Sequence, residues 1–174
     1  MRWEAFAAAP LVVLAAPGAQ ATEYLTVAQA QAALFPGASF QKVAVSVPEA
    51  VLEAMRERSG VDEPFNAGRV WRVSTGGWFI VDAVLGKHEK ITYAVGIDAS
   101  GAVRGIEILT YNESYGYEVR DPGWRAQFRG KTAASALQLN GDIRNITGAT
   151  LSSKHLTQGV RRLLVLHQMA LARS

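Results

Sequence analysis

The chain has 174 residues, 49% of them apolar and 19% charged, which suits one domain with a buried core and excludes a disordered chain. Eighteen basic residues stand against fifteen acidic ones without a run of Lys or Arg, so no nucleic-acid footprint is written in it. It contains no cysteine, which removes disulfides, thiolate chemistry, iron–sulfur clusters and thioether-attached haem together.

At the N-terminus, Ala5 to Ala16 is an apolar segment broken by Pro10, and Ala19-Gln20-Ala21 is a small-x-small cleavage site. Residues 1–21 therefore read as an export signal or an N-terminal anchor, with a periplasmic or otherwise extracytoplasmic, membrane-associated location for residues 22–174. An Ala-rich helix of a cytoplasmic protein is the competing reading, because Glu4 offsets the lone Arg2.

The remaining elements follow in order. Thr26 to Leu34 is a short helix stopped by Pro36-Gly37. Phe40 to Val47 alternates as a strand, and Glu49 to Arg58 is a helix opened by Pro48 and ended by Gly60. Four strands follow, Arg69–Ser74, Trp78–Leu85, Lys90–Ile97 and Ala102–Thr110, joined by the turns Thr75-Gly76-Gly77 and Asp98-Ala99-Ser100-Gly101. Tight connections between neighbours imply an antiparallel sheet. Asn112 to Gly130 reads as a long connection and Thr132 to Leu139 as a short helix. Ser152 to Ala172 is the last helix, with Leu156, Val160, Leu163, Leu164, Leu166 and Met169 on its apolar side and Arg161 and Arg162 mostly outside it. The fold class is α+β: a single domain with an antiparallel sheet and flanking helices.

The chemistry concentrates between Asp142 and Ser153. Gly148 lets the backbone turn and approach a ligand, and Ala149 keeps the approach clear. Thr147, Thr150, Ser152 and Ser153 gather hydroxyls where a helix presents free N–H groups and the positive end of its dipole, which suits a phosphate. The same residue types also serve as plain helix caps. Three scattered histidines, none at i, i+4 spacing, provide no helical metal site.

Thr147-Gly148-Ala149-Thr150, with Asp142 upstream and a hydroxyl-rich helix start downstream, resembles the flavinylation motif of the FMN-binding domain family. That family includes the FMN-carrying components of the sodium-translocating NADH:quinone reductase and of the Rnf electron-transport complex. A second stretch, Gly96-Ile-Asp98 to Gly105-Ile-Glu-Ile-Leu109, resembles the family's paired strands, and Trp124, Gln127, Phe128 and Gly130 resemble a later segment. The loop Glu113-Ser114-Tyr115-Gly116-Tyr117-Glu118 departs from the family pattern: Ser114-Tyr115 replaces Thr-Pro and Tyr117 replaces Leu. The resemblance implies FMN joined by a phosphoester to Thr150. It also implies an exported flavin transferase that uses FAD, with Mg2+ needed only for attachment. Glu113, Tyr115, Gly116 and Tyr117 would border the ring; Tyr115 and Tyr117 either stack on it or are packing aromatics. Glu113 either orders the loop or contacts the cofactor, and Asp142 either fixes the turn or assists attachment through magnesium.

Three functions stay open at this point. The first is an electron carrier, alone or in a membrane redox complex, relaying between donor and acceptor proteins. The second is a self-contained periplasmic flavin reductase, and the third a non-redox envelope binding module of the same fold. No Gly-x-Gly-x-x-Gly follows a strand, so no dinucleotide fold for NADH is written here.

Overall fold

The computed structural model describes residues 23–172. The expected signal or anchor over residues 1–21 lies outside them. Five strands form one antiparallel sheet in the order β1-β2-β3-β4-β5: Phe40–Lys42, Val70–Val73, Trp78–Leu85, Lys90–Ile97 and Val103–Thr110. β3 and β4 pair along their full length, from Trp78 opposite Ile97 to Leu85 opposite Lys90.

Both faces of the sheet are covered. α1 (Val27–Leu34) opens with the reciprocal Thr26–Gln29 capping box and packs on one face against Phe79, Val81 and Ala94. α2 (Glu49–Ser59) and α4 (Thr150–Leu166) cover the other, over Trp78, Ile80, Val84, Ile91, Tyr93 and Val95. Alternate residues of β3 thus enter two different cores, which is why that strand reads as a nearly continuous apolar run. α1 lies close enough that a Cβ on Gly96 would sit 2.7 Å from the Phe35 ring, and one on Gly105 would sit 2.8 Å from Leu34.

Several expected elements change. The first strand ends at Lys42, since beyond Val43 no further residue pairs with β2. The connection from 112 to 130 is not bare loop. It holds a 3-10 turn (Tyr117–Arg120), the four-residue helix α3 (Pro122–Arg125) and a second 3-10 turn (Ala126–Phe128). α3 has a start signal that length obscured: Asp121 caps the N–H groups of Gly123 and Trp124 ahead of Pro122. The helix expected over Thr132 to Leu139 is absent. Leu137 and Asn140 have positive φ, and the Asp142 carboxylate accepts from the N–H groups of Leu137 and Gln138, an arrangement incompatible with a helix there. α4 begins at Thr150, two residues early, and ends in a π turn over His167–Leu171. Among the described residues no helix is long and apolar enough to cross a membrane.

Candidate functional site

The turn before α4 is built from its anchors inward. Asp142 ties its carboxylate to Lys131 Nζ (2.9 Å) and to the N–H groups of Gln138 (2.8 Å) and Leu137 (3.1 Å). Burial pushes this carboxyl up, but the Gln138 N–H, Lys131 and the Leu137 N–H outweigh it and hold it down at about 2. Ile143 is fully buried. Trp124 Nε1 then donates to the Arg144 carbonyl (2.8 Å), and the Arg144 N–H donates to Gln127 Oε1 (2.8 Å). The segment around Trp124 and Gln127 thereby clamps the residues leading into the motif.

Within the motif, Thr147 and Gly148 form a turn closed by the Ala149 N–H on the Ile146 carbonyl (3.0 Å). Gly148 has φ +84°, and a Cβ there would meet nothing within 4 Å, so conformation rather than space demands the glycine. Ala149 precedes the helix and no side chain caps it. The first N–H groups of α4 are left without intrahelical partners and aligned with the positive end of a 17-residue helix. Thr150 is exposed at the first helical position, and its Oγ1 accepts from Asn145 Nδ2 at 3.1 Å.

These groups form one wall of a cleft of about 450 Å³. Gly148, Ala149, Thr150, Leu151 and Ser152 line one side; Glu113, Ser114, Tyr115 and the β3–β4 hairpin residues Lys87 and His88 line the other. The volume falls within the range of small-molecule sites. A larger cleft of about 530 Å³ between α1 and β5 is lined by Arg104, Arg125 and Arg129 and contains none of the hydroxyl turn, so volume alone does not choose the site.

Glu113 holds the far wall. Its Oε1 accepts from the N–H groups of His88 (2.6 Å) and Glu89 (3.1 Å). Burial raises this carboxyl, yet the N–H groups of His88, Glu89 and Lys87 pull it below its usual range. A side chain on Gly86 would collide with that carboxylate. Below the cleft, Tyr111 donates to the Tyr115 carbonyl (2.5 Å) and shares a 3.1 Å hydrogen bond with Ser152 Oγ. Gly116, at φ +92°, lies so near Ala149 that a Cβ on it would fall 2.6 Å from Ala149 Cβ.

Of the expected site residues, Thr150, Gly148, Ala149, Ser152, Glu113 and Tyr115 line the cleft, with Gly116 packed beside it. Thr147 lies in the preceding turn. The Ser153 hydroxyl is turned into its own helix, donating to the Ala149 carbonyl. Asp142 is committed to the loop upstream, and Tyr117 donates its hydroxyl to the Ser114 carbonyl while its ring meets Tyr111 edge-on at 6.3 Å. His155 is spent elsewhere: its Nδ1 lies 2.5 Å from the Leu85 carbonyl and 3.1 Å from that of Gly86, so Nδ1 carries the proton. Sequence reasoning missed Lys87, His88 and Asn145. Only Asn145 had a local signal, as a polar residue five positions before Thr150; the hairpin residues arrive from some sixty positions upstream by way of the β3–β4 pairing.

Residues 86–165 match the FMN-binding domain family, a span that opens at the hairpin and so contains both walls of the cleft. The chain is also similar to a component of the Na(+)-translocating ferredoxin:NAD(+) oxidoreductase complex of Acetobacterium woodii, with 29% identity over 137 residues. That match covers 71% of this chain and 66% of the relative, so the chain spans just under two thirds of the relative's length. Over residues 86–165, then, this chain is similar to the FMN-binding domain family.

Proposed function

We propose that this chain is an exported electron-transfer flavoprotein that carries FMN through a phosphoester to Thr150 and relays electrons between partner proteins. One observation carries the reading: the Thr150 hydroxyl stands exposed on the rim of the cleft, at the start of a helix that no side chain caps. Free N–H groups at that start, the helix dipole and Lys87 across the cleft suit a phosphate ester. Tyr115, 78% exposed, and Leu151, 41% exposed, offer apolar surface to a flat ring system. The residues present thus fit the cofactor.

Attachment forms a bond between Thr150 Oγ and the FMN phosphorus and breaks the pyrophosphate bond of FAD, with AMP leaving. An exported flavin transferase with Mg2+ performs it, and an exposed hydroxyl is open to that enzyme. The Asn145 amide donates to Thr150 Oγ1, which leaves the hydroxyl proton free to be taken by a base. Once bound, the flavin supplies the redox chemistry, and the chain contributes attachment, orientation and electrostatic tuning. The similarity to a component of an oxidoreductase complex favours electron donors and acceptors that are themselves proteins, in a membrane redox complex. The apolar segment from Ala5 to Ala16 supports export.

Co-expression with an exported flavin transferase, followed by intact mass after denaturation, tests the linkage. The expected result is an added FMN less one water, absent from Thr150→Ala. That variant should keep the fold, because Thr150 gives up one exposed hydrogen bond worth about 1 kcal/mol. A bare polypeptide mass from folded wild-type protein would refute the attachment.

A further inference from the structure

The larger cleft, about 530 Å³ between α1 and β5, shares no lining residue with the flavin cleft. Its charge is one-sided: Arg104, Arg125 and Arg129 stand at the lining against Glu107 alone. Arg125 is spent within the fold. It pairs with Glu107 at 2.5 Å and donates from Nη1 to the Ile106 carbonyl (2.8 Å) and from Nε to the Arg120 carbonyl (3.0 Å). The excess positive charge therefore rests on Arg104 and Arg129, and neither has an ion-pair partner among the described residues.

Both of these arginines are accessible. Arg104 is exposed, yet its Nε donates to the Leu34 carbonyl at 2.5 Å and its guanidinium carbon lies 5.2 Å from the centre of the Phe35 ring. Nε and one face are thus held, while its Nη groups make no hydrogen bond among the described residues. Arg129 is exposed and has no side-chain partner among them. Val103 donates its N–H to the Lys131 carbonyl and accepts from the Gly130 N–H, both at 2.8 Å, so the backbones carrying the two arginines run side by side. That arrangement gives both guanidinium groups access to one compact anion in the cleft they line.

The two forks decide which anion suits them. A carboxylate brings one charge and two oxygens, enough for a single guanidinium fork. A phosphate monoester brings nearly two charges and three acceptor oxygens on one centre, which matches two forks and their charge. The remaining walls, Ala33 and Pro36 on one side and Pro122 and Ala126 on the other, offer small apolar surface and no aromatic ring for stacking. We propose that this cleft binds the phosphate group of a small, non-aromatic phosphate monoester. The proposal does not rest on flavin attachment.

Glycerol 3-phosphate is the probe, titrated into the full chain, flavinylated or not, at an ionic strength that screens diffuse attraction. The Arg104 Nε–H and Gly105 N–H resonances should shift saturably. Glycerate, a similar body ending in a singly charged carboxylate, should bind at least about tenfold more weakly, as the loss of a charge-assisted hydrogen bond requires. Arg104→Gln and Arg129→Gln should each weaken the phosphate ester by a similar factor, and the second removes no contact of the fold. Lys42→Gln, on the opposite edge strand of the sheet, should leave its affinity unchanged. Vesicles containing phosphatidic acid distinguish the source. Retention on them that the double arginine variant loses would assign the phosphate to a lipid headgroup, and titration by glycerol 3-phosphate alone would assign it to a free ester. Binding to neither, or saturable shifts confined to Gly148–Thr150, would overturn the proposal. Equal affinity for glycerate, or equal weakening by Lys42→Gln, would overturn it as well.

Discussion

The first turn of α4 and its middle are both polar, and they are polar in opposite ways. At the start, Thr150 is exposed, no side chain caps the helix, and the groups there face a cleft. In the middle, Arg162 is buried against Asp82, whose other oxygen accepts from Tyr93 at 2.8 Å. Burial pushes the Asp82 carboxyl up, although Arg162 and Tyr93 pull it back; burial and the neighbouring Asp82 push the Tyr93 hydroxyl well above its usual range. Gly159 makes room for this cluster, since a Cβ there would come within 2.8 Å of Tyr93 Cζ. A helix can therefore keep one end chemically available because its middle is locked to the sheet. The start is open to a ligand, and the middle makes the start stay where it is.

Removing the lock is the largest test of that division. Asp82→Ala leaves Arg162 buried and unpaired, at a cost of about 3–5 kcal/mol. For a chain of this length, thermal unfolding should then begin on the order of 10 °C lower. Flavin attachment, measured by mass at low temperature on the folded fraction, should persist. An unchanged melting temperature would mean that the cluster does not hold α4 in place.

Gly116→Ala acts on the open end of the helix itself, beside Ala149. The residue has φ +92° and its new Cβ would press on Ala149 and on the Tyr111 hydroxyl. Strain and crowding of this kind cost about 1–3 kcal/mol. The melting point should fall by several degrees and the flavinylated fraction should drop with it. Full loading in the variant would show that the Gly116–Ala149 contact does not shape the cleft.

The loop upstream should respond to acid. The Asp142 carboxyl is held at about 2, below its usual value, so its contribution is complete above the unfolded-state range near pH 4 and is lost as pH falls toward 2. The Gln138 and Leu137 amide resonances should report that loss in wild type. In Asp142→Asn they should show no acid transition, and a transition persisting there would assign it to another group.

What the sequence disclosed divides along similar lines. The ends of β3 and β4 were legible to the residue, because Val, Ile and aromatic runs between Gly-rich turns admit few alternatives. Thr150 was legible as part of a contiguous motif. Arg162 was not: charge places an arginine outside an apolar stripe, and its partner Asp82 lies eighty residues away on β3, where helical periodicity carries no information. Lys87 and His88 escaped for the same reason, since they join the site only through strand pairing. The failed helix from Thr132 to Leu139 has a local cause, the capture of two N–H groups by Asp142, but nothing in its composition announces that the carboxylate wins.

The smallest expected effect on stability is also the most informative about the open end of α4. Asn145, itself half-buried, donates Nδ2 to the exposed Thr150 Oγ1, and its Oδ1 accepts from the Ile146 N–H at 2.9 Å. Neutral exposed hydrogen bonds of this sort contribute about 1 kcal/mol at most, so Asn145→Ala should melt within a few degrees of wild type. Flavinylation, followed by mass over time with a fixed amount of transferase, should nonetheless slow, because the hydroxyl loses the group that orients it. Asn145→Asp should slow it further: a carboxylate accepts the Thr150 proton and sets a negative charge beside the incoming phosphate. The order wild type, Ala, Asp separates orientation from charge. If the Ala variant matched wild type while the Asp variant lagged, charge alone would govern attachment, and the Asn145–Thr150 hydrogen bond would be no part of the site's chemistry.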